Sequence, residues 1–295
     1  MDSINALIAD RKYLESGARL SMCIDDYPDG IIIPIDKPYR WTSADVIRKI
    51  KWAAIHHFDK KNLKVGHAGT LDPLATGVLL VCIGKATRLA ETLQKEGKEY
   101  IAGITFGATT PSYDLEKEID RRYPTDGVSR ESLEKVIPAF IGQQEQVAPL
   151  FSAKSVDGIR AYELARKAFK KAQKEGTAFD HTAVETLSRQ IINITEMELL
   201  SFNADGIPEK EKEPEYESGH ANPRINVTDN TDLHLPHASI RVACSKGTYI
   251  RALARDLGES LGSGAHLDSL QRSKSGMFSV KDALTIDETI KLLTK

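Results

Sequence analysis

The order of strand-like and helix-like segments limits the folds open to this chain. Apolar runs at residues 30–35 and 78–83 are typical of buried strands, and they are interspersed with segments whose apolar residues recur at helical spacing. These segments do not follow the regular strand–helix alternation of a doubly wound sheet. The pattern therefore favours an α+β fold for this chain of 295 residues.

Other predicted elements follow the same irregular order. Further strands are predicted at residues 98–106, 187–202 and 238–244. Helices are predicted to begin at Thr42-Ser43, near residue 86, at Ser129, near residue 160 and at Thr248. The helix near residue 160 is strongly basic, and a capping-box pattern from Thr285 to Glu288 opens a terminal helix.

Two segments stand apart from this pattern. Residues 1–29 are expected to form a peripheral N-terminal extension with one short helix. Residues 203–237 hold eight acidic and three basic residues, and the run from Pro208 to Glu215 has no apolar residue. Because such a segment buries little apolar surface, it is predicted to be a mobile acidic insertion on the surface. An acidic segment that binds a partner is the alternative.

Charge is unevenly distributed along the chain. The formal net charge is −2, but residues 203–237 carry −5, so the rest of the chain carries +3. Residues 36–64 hold eight Lys/Arg against three acids, and residues 241–281 hold seven against three. Local basic surfaces matter more for phosphate binding than the total charge does. Charge alone leaves nucleic-acid binding and ordinary solvated faces equally open.

Composition and cysteine usage exclude several classes of protein. No run of about 18 apolar residues exists, which excludes a membrane-spanning helix, and the first 30 residues lack the pattern of a secretory signal. Cys23, Cys82 and Cys244 are far apart, and Cys82 and Cys244 lie in apolar runs. These two are predicted to be buried thiols rather than metal ligands or disulfide partners. We expect a reducing, cytoplasmic setting.

The most informative stretch is GHAGTLDPLATG, at residues 66–77. Its three glycines and one proline indicate a shaped loop that lets a ligand approach the backbone closely. Asp72 supplies a carboxylate in the middle, and Pro73 disfavours helical geometry at Asp72. A tight turn in which Asp72 merely binds backbone amides is the alternative. A phosphate-binding P-loop would need a Gly-Lys-Ser/Thr ending, which this stretch lacks.

Residues 64–79 resemble the central motif of TruB-type pseudouridine synthases, which include the bacterial enzymes that act on the T-loop of tRNA. Four other blocks resemble family motifs in the same order: Asp36-Lys37-Pro38 with Trp41-Thr42-Ser43, Lys98-Glu99-Tyr100, Ser152-Ala153-Lys154 with residues 158–166, and residues 246–251 with residues 264–272. The matches run from about residue 30 to residue 282 and are interrupted at residues 203–237. Five motifs in family order are not expected by chance.

The resemblance implies roles for three residues in the earlier motifs. Asp72 matches the catalytic aspartate, His67 a residue beside the flipped nucleotide, and Tyr100 a tyrosine that stacks on the target base. A base that leaves its stack needs an aromatic platform and a wedge, which Tyr100 and His67 would supply. Without the resemblance, Tyr100 would be read as a core residue of its strand and His67 as a loop histidine bonded to the backbone.

Four more residues take roles from the resemblance. Tyr249, Arg251 and Leu270 match residues that line the uracil pocket, where the arginine pairs with the catalytic carboxylate. Lys37 matches a basic residue expected to support the site or to bind backbone phosphates. By itself, Arg251 could equally be a solvated helix residue or the partner of Asp256. Tyr249 and Arg251 would not share a helical face, so both reach a site only if Tyr249 precedes the first full turn.

The residue types suit the reaction that the resemblance implies. Uridine becomes pseudouridine when the N1–C1′ bond breaks, the uracil turns, and C5 bonds to C1′. Substrate and product contain the same atoms, so we expect no cofactor and no metal. A carboxylate can act as the nucleophile or stabilise the cationic character that develops at the sugar. Attack on the sugar, attack on the base and elimination all stay open.

The resemblance also implies a fold and a domain organisation. It implies an α+β pseudouridine-synthase fold with a mixed, largely antiparallel central sheet flanked by helices. The catalytic domain is predicted at residues 30–282, followed by a C-terminal helix at residues 283–295. Many family members carry a further RNA-binding domain, which we do not expect here because only about 20 residues follow Gly276. Residues 148–151 depart from the family pattern of paired prolines and a tyrosine, so local packing is expected to differ.

The predicted activity is isomerisation of the T-loop uridine (position 55 of tRNA) to pseudouridine. The expected partner is the T-arm of tRNA, bound by a monomer that needs no protein partner and no membrane. The alternatives are a pseudouridine synthase that acts on another RNA, as guide-dependent relatives do, and a tRNA-binding or tRNA-folding protein without turnover. A carboxylate-dependent glycosidase would normally need a second acid/base carboxylate, and no motif supplies one.

Overall fold

A computed structural model describes residues 4–149, 155–156, 159–160, 189–207 and 222–294. Its α-helices within these ranges are α1 (Arg11–Glu15), α2 (Ser43–His57), α3 (Ala90–Lys95), α4 (Arg130–Val136), α5 (Ile250–Ser260) and α6 (Ile286–Leu292). Its strands are β1 (Leu7–Ile8), β2 (Ile31–Lys37), β3 (Val65–Ala68), β4 (Thr76–Ile83), β5 (Lys98–Phe106), β6 (Ala108–Thr109), β7 (Arg121–Arg122), β8 (Gly142–Val147), β9 (Ser155–Val156), β10 (Ile159–Arg160), β11 (Arg189–Asn203), β12 (His237–Cys244), β13 (Ala265–Ser275) and β14 (Phe278–Ser279). The basic helix predicted near residue 160 and most of the motif at residues 152–166 lie outside the described residues.

Helix starts that the sequence predicted from capping patterns are confirmed. Thr42, Ser129 and Thr285 cap α2, α4 and α6, and each cap forms a reciprocal pair of bonds with the third helical residue. Because these bonds satisfy N–H groups that have no partner inside the helix, they fix the residue at which each helix begins.

The chain forms two compact units. The first comprises residues 1–100, 215–225 and 270–295, and the second comprises residues 101–214 and 226–269. The boundaries fall within β5, after Tyr100, and within β13, after Ser269. The predicted site residues therefore divide between the units. The first unit contains Lys37, His67, Asp72, Tyr100 and Leu270, and the second contains Tyr249 and Arg251.

The first unit is built on a mixed sheet. Strand β2 pairs antiparallel with β4, β3 also pairs antiparallel with β4, and β13 pairs parallel with β4 at Gln271–Thr76. Every residue of β4 is buried, because the two faces of this strand contribute to different hydrophobic clusters. Residues Val46, Ile50 and Ala53 of α2 cover one face. Burial on both faces explains the uninterrupted apolar runs of β2 and β4.

The N-terminal residues belong to this core, which corrects the expectation of a peripheral extension. Strand β1 pairs parallel with β2, and Ala9, Leu20 and Ile24 are buried in the same cluster as α2. Arg11 donates two hydrogen bonds to the carboxylate of Glu288 in α6, at 2.9 and 3.0 Å. Apolar residues scattered over about twenty positions did not reveal this packing, because they follow neither the helical nor the strand period.

The second unit is built on antiparallel strands. The strand order is β5, β12, β11 and β8, and β11 pairs antiparallel with both β12 and β8. The strands on either side of the acidic segment pair with each other, since Asn203 lies opposite His237. Together the units give the mixed, largely antiparallel arrangement of strands that the sequence led us to expect.

Residues 222–236 are not the loose surface loop that their composition predicted. In the first unit, the side-chain amide of Asn222 donates to Asp45 at 3.0 Å, and Ile225 is buried. In the second unit, the N–H group of Thr228 donates to the carbonyl of Leu115 at 2.8 Å. A polar segment can thus be anchored by a few hydrogen bonds and one apolar side chain, which average composition does not reveal. Residues 208–221 of the acidic segment lie outside the described residues.

Candidate active site

Asp72 lies on a loop that connects two paired strands. The sequence predicted a loop over residues 66–77, but its first residues belong to β3 and its last to β4, where Gly66 pairs with Cys82 and His67 with Val81. The backbone hydrogen bonds of this pairing shorten the irregular part to residues 69–75, which we call the Asp72 loop. The loop is therefore fixed at both ends by a strand pair.

Glycine is required where the Asp72 loop joins β4. Gly77 has a φ of 94°, and a Cβ atom there would lie 2.3 Å from the carbonyl oxygen of Arg272. No side chain fits so close to a backbone atom, so this glycine permits the parallel contact between β4 and β13. The N–H group of Gly77 donates to Asp36 at 3.0 Å, and burial raises the pKa of Asp36 despite this bond.

Two side chains hold the backbone on either side of Asp72. The hydroxyl of Ser43 accepts from the N–H group of Leu71 at 3.0 Å and donates to its carbonyl at 3.2 Å. The ammonium group of Lys37 donates to the carbonyl of Pro73 at 3.2 Å. Since Leu71 and Pro73 flank Asp72 directly, these bonds fix the direction in which its side chain leaves the backbone.

Lys37 is wholly buried. Its side chain has 0% exposure, and it also donates to the carbonyls of Pro38 and Trp41 at 3.0 and 2.6 Å. A buried ammonium group surrounded by carbonyls cannot reach a phosphate of an RNA backbone. Lys37 therefore supports the Asp72 loop.

Arg272 holds the start of the same loop. Its guanidinium group, which is 2% exposed, donates to the carbonyls of Gly69 at 3.0 Å, Thr70 at 3.4 Å and Val78 at 2.7 Å. The planar fork of an arginine matches several acceptors at once, which a lysine would not do. The sequence placed Arg272 within a family motif, but it gave no sign that the residue spans both ends of the loop.

Asp72 is half-buried at the centre of these contacts. Its main-chain carbonyl accepts from the N–H group of Ala75 at 3.1 Å, which closes a tight turn around Pro73. His67 is half-buried on β3, and burial, together with the charge of Arg272, lowers its pKa. His67 is therefore neutral at pH 7, and among the described residues its Nδ1 atom has no hydrogen-bond partner.

Tyr100 and Leu270 complete the predicted residues of the first unit. Both are half-buried, and both pack against the hydrophobic cluster that contains Leu71 and Ala75 of the Asp72 loop. Tyr100 is thus neither a fully buried core residue of its strand nor a freely exposed side chain. The first unit brings Tyr100 and Leu270 to the cluster that underlies the loop.

Tyr249 and Arg251 lie at the start of α5 in the second unit. Tyr249 is the N-cap residue with extended backbone, so it precedes the first turn as the sequence required. Its main chain forms two hydrogen bonds with the side-chain amide of Gln146, at 2.9 and 3.1 Å. Arg251 is buried and faces Asp114, with 3.6 Å between Nη1 and Oδ2, and donates to the carbonyl of Ser112 at 3.2 Å.

Asp256, the alternative partner of Arg251, binds a different arginine. Arg255 donates from Nε to the Asp256 carboxylate at 2.8 Å. The acidic group that faces Arg251 within its unit is Asp114, which the sequence did not single out. No motif pointed to Asp114, because it is far from Arg251 in the chain.

Metal centres, reactive cysteines and membrane-spanning helices are other features that could indicate a function. Within them, no group of three or more His, Cys, Asp or Glu side chains could hold a metal ion. Cys82 and Cys244 are buried free thiols, as predicted, and burial raises the pKa of Cys82 to about 11. The helices in the described ranges include none with the length and apolar character needed to cross a membrane.

Comparisons with known proteins identify the family of this chain. A family model described as the N-terminal domain of TruB family pseudouridylate synthases matches residues 56–209, and a model described as the C-terminal domain of tRNA pseudouridylate synthase B matches residues 251–294. The tRNA pseudouridine synthase B of Phocaeicola vulgatus is 44% identical over 89% of this chain and 92% of the relative. That of Flavobacterium johnsoniae is 38% identical over 90% of this chain and 96% of the relative.

A solved structure shows the same fold at lower identity. A chain in the crystal structure of a Cbf5-Nop10-Gar1 complex matches with a TM-score of 0.55 and 24% identity, over 89% of this chain. The present chain spans only 54% of that protein, so the likeness concerns the fold alone. The predicted α+β pseudouridine-synthase fold is confirmed, and the chain belongs to the TruB family of pseudouridylate synthases.

Proposed function

We propose that this protein isomerises the T-loop uridine at position 55 of tRNA to pseudouridine, with Asp72 as the catalytic carboxylate. Its relatives from Phocaeicola vulgatus and Flavobacterium johnsoniae are named tRNA pseudouridine synthase B. The identity of 38–44% extends over most of both chains, which supports the same reaction on the same class of RNA.

The observation that carries the proposal is the way in which the Asp72 loop is held. Ser43 and Lys37 fix the backbone on both sides of Asp72, and buried Arg272 fixes the start of the loop. A loop that only reverses the chain direction needs no such support, because a tight turn satisfies its own backbone groups. A carboxylate that must meet one atom of a flipped nucleotide gains from fixed geometry, since small displacements are costly to rate.

The reaction needs little more from the protein than a positioned carboxylate and a pocket for the uracil. Asp72 acts at the nucleotide while the N1–C1′ bond breaks and the C5–C1′ bond forms. No atom is gained or lost, so no cofactor or group donor takes part.

The remaining site residues are assigned to binding the flipped nucleotide. Tyr100 stacks on the target base, and His67, neutral at pH 7, fills the space that the base leaves in the RNA. The family motifs assign Tyr249, Arg251 and Leu270 to binding the uracil. These assignments follow the family motifs, and the burial of Arg251 suits a group that contacts a base shielded from water.

The proposal extends to the partner and setting of the enzyme. The substrate is bound through its T-arm by a monomer that works without a metal and without a protein partner, in the cytoplasm. Exposed basic residues such as Arg48 and Lys49 on α2 supply charge for phosphate binding.

The test is to incubate the purified protein with an unmodified tRNA transcript and to map pseudouridine at nucleotide resolution. We expect one modified position, in the T-loop. Asp72→Asn should abolish turnover while tRNA affinity falls less than about tenfold, because binding depends mainly on phosphate contacts. Asp287→Asn, on the exposed first turn of α6, is the matched control and should leave turnover unchanged.

Two results would contradict the proposal. Pseudouridine at another tRNA position, or only in a different RNA, would show that the proposed substrate is wrong. Appreciable product from Asp72→Asn in a single-turnover assay would remove Asp72 from its catalytic role.

A further inference from the structure

A concave surface lies on the first unit, along α2. Its volume is approximately 930 Å3, and one wall is α2 while the other is the short segment at residues 222–224. Both walls contribute basic side chains, and the two aromatic side chains come from the α2 side; the lining includes Trp41, Arg48, Lys49, Trp52, Asn222 and Arg224. We call this surface the Trp52 groove.

Hydrogen bonds fix the second wall of the groove. The N–H group of Asn222 donates to the carbonyl of Arg40 at 3.1 Å, and its side-chain amide donates to Asp45 at 3.0 Å. The guanidinium group of Arg40 donates to the carbonyl of Ile225 at 3.1 Å, and Ile225 is buried. The wall that carries Arg224 is therefore attached at both of its ends.

The charge of the Trp52 groove is positive. The groove is lined by three basic side chains, Arg48, Lys49 and Arg224, and by one carboxylate, that of Asp45, which accepts from Arg48 at 2.9 Å. Burial tends to raise the pKa of Asp45, but hydrogen bonds from Thr42, Asn222 and Arg48 outweigh it and lower the pKa to about 2. Because this carboxylate is already engaged, the net positive charge of Lys49 and Arg224 remains for a ligand with negative charge.

Trp52 is the aromatic group of the groove. Trp52 is 59% exposed, and it is the one aromatic residue among the large exposed hydrophobic residues of the described chain. The ring of His56 lies 4.3 Å from its own, centroid to centroid. An indole next to basic side chains is the arrangement that binds a nucleic-acid strand, with a base on the ring and phosphates on the cations.

Helix α2 connects the groove with the Asp72 loop. Ser43 at the start of α2 holds Leu71, and Trp52 lies nine residues further along the same helix. At 1.5 Å per residue, the two positions are about 14 Å apart along the helix axis. One nucleotide does not span this distance, so a base on Trp52 belongs to a different nucleotide from the one at Asp72.

We propose that the Trp52 groove binds the RNA substrate outside the target nucleotide, with one base stacked on Trp52 and the backbone phosphates at Lys49 and Arg224. The ligand is a single-stranded or unpaired stretch of RNA, since a base within a duplex offers no free face. This inference rests on the proposed function, because it concerns the same substrate.

The first test measures the affinity for a fluorescently labelled, unmodified tRNA transcript as a function of salt. Lys49→Glu should weaken binding about tenfold at low salt and reduce the salt dependence by about one counterion or more. Lys51→Glu is the matched control, because Lys51 is an exposed lysine on the same helix outside the groove lining. It should change the affinity less than about twofold, whereas an equal effect of both variants would overturn the inference.

The second test uses the intrinsic fluorescence of the protein. The chain has two tryptophans, Trp41 and Trp52, and both line the groove. In a Trp41→Phe variant, tRNA should quench the emission of Trp52, with a midpoint equal to the Kd from the labelled transcript. Trp52→Ala should weaken binding about tenfold, as expected for the loss of one stacked base. Unquenched emission at saturating tRNA would overturn the inference, as would equal quenching by millimolar uridine monophosphate.

Turnover separates this inference from the proposed function. At saturating enzyme, Lys49→Glu and Trp52→Ala should form pseudouridine at the parent rate, since they act on binding and not on chemistry. If both variants bind tRNA like the parent while the parent forms pseudouridine, the groove inference fails alone. If the groove variants lose affinity but the parent modifies no RNA, the proposed function fails alone.

Discussion

The Asp72 loop and the segment at residues 222–225 are both irregular, and both are held by side chains from distant parts of the chain. They differ in how deeply the holding groups are buried. Lys37 and Arg272, which hold the Asp72 loop, are 0% and 2% exposed. Asp45, Arg40 and Asn222, which hold the other segment, are only half-buried.

This difference determines what happens when a bond is lost. A buried carbonyl without its donor loses the hydrogen bond and finds no water in its place, which costs about 1–3 kcal/mol for each group. At a half-buried position water replaces the lost partner, so the net cost is small. Losing one bond is therefore expected to disturb the Asp72 loop more than the wall of the Trp52 groove.

The largest effect is expected from Arg272→Met. Removing the guanidinium group leaves the buried carbonyl of Val78 without its donor and also breaks the part-buried bonds to Gly69 and Thr70, so the free energy of unfolding should fall by about 2–3 kcal/mol. Urea denaturation measures this change. Lys274→Met, on the same strand, removes an exposed ion pair with Glu99 and should cost less than about 1 kcal/mol. Equal costs would show that burial does not separate the two regions.

An intermediate effect is expected from Ser43→Ala. The hydroxyl makes two bonds to Leu71, so the free energy of unfolding should fall by about 1–2 kcal/mol. The single-turnover rate should fall about tenfold, while the Kd for tRNA stays within about twofold, because the carboxylate is misplaced and the phosphate contacts are kept. As a control, Ser260→Ala removes an exposed hydroxyl that bonds within its own helix, and it should leave both quantities unchanged. A Ser43 variant with parent kinetics would mean that the loop keeps its geometry without this bond.

The smallest effect is expected from Asn222→Ala. At pH 6 the variant should lose about 0.5–1 kcal/mol of stability, since water replaces the amide at Asp45. The pKa of Asp45 is lowered from 3.8 to about 2, so its contribution is complete above pH 4 and is lost as the pH falls towards 2. The difference between parent and variant should therefore shrink in acid, as followed by urea denaturation at pH 6, 4 and 3. A difference that grows in acid would show that Asn222 does not act by stabilising the ionised carboxylate of Asp45.

The sequence predicted the framework of the site better than its supports. Local signals sufficed for the helices capped by Thr42, Ser129 and Thr285, because the capping residues are three positions apart in the chain. The loop around Asp72 was predicted because its glycines and proline constrain the backbone within a single short stretch, while the catalytic role of Asp72 stays a prediction. The family motifs then supplied the candidate pocket residues.

The supports escaped prediction because they depend on contacts between distant residues. Nothing near Arg272 shows that its side chain reaches Gly69, and nothing near Arg251 shows that it faces Asp114. The same holds for Ala9 and Leu20, whose burial depends on an edge strand only two residues long. Asn222 lies in a segment whose average composition suggested no packing, although a few of its residues form specific bonds.

The long reach of Arg272 also sets an order in time during synthesis. Its acceptors at Gly69 and Val78 lie 203 and 194 residues earlier in the chain. At about 5–20 residues per second, the ribosome needs roughly 10–40 seconds to proceed from the Asp72 loop to Arg272. During this interval the loop has its strand pair and its contacts from Ser43 and Lys37, but not the arginine that joins its two ends. The nascent enzyme is therefore expected to gain its catalytic geometry only late in translation, after most of the chain has folded.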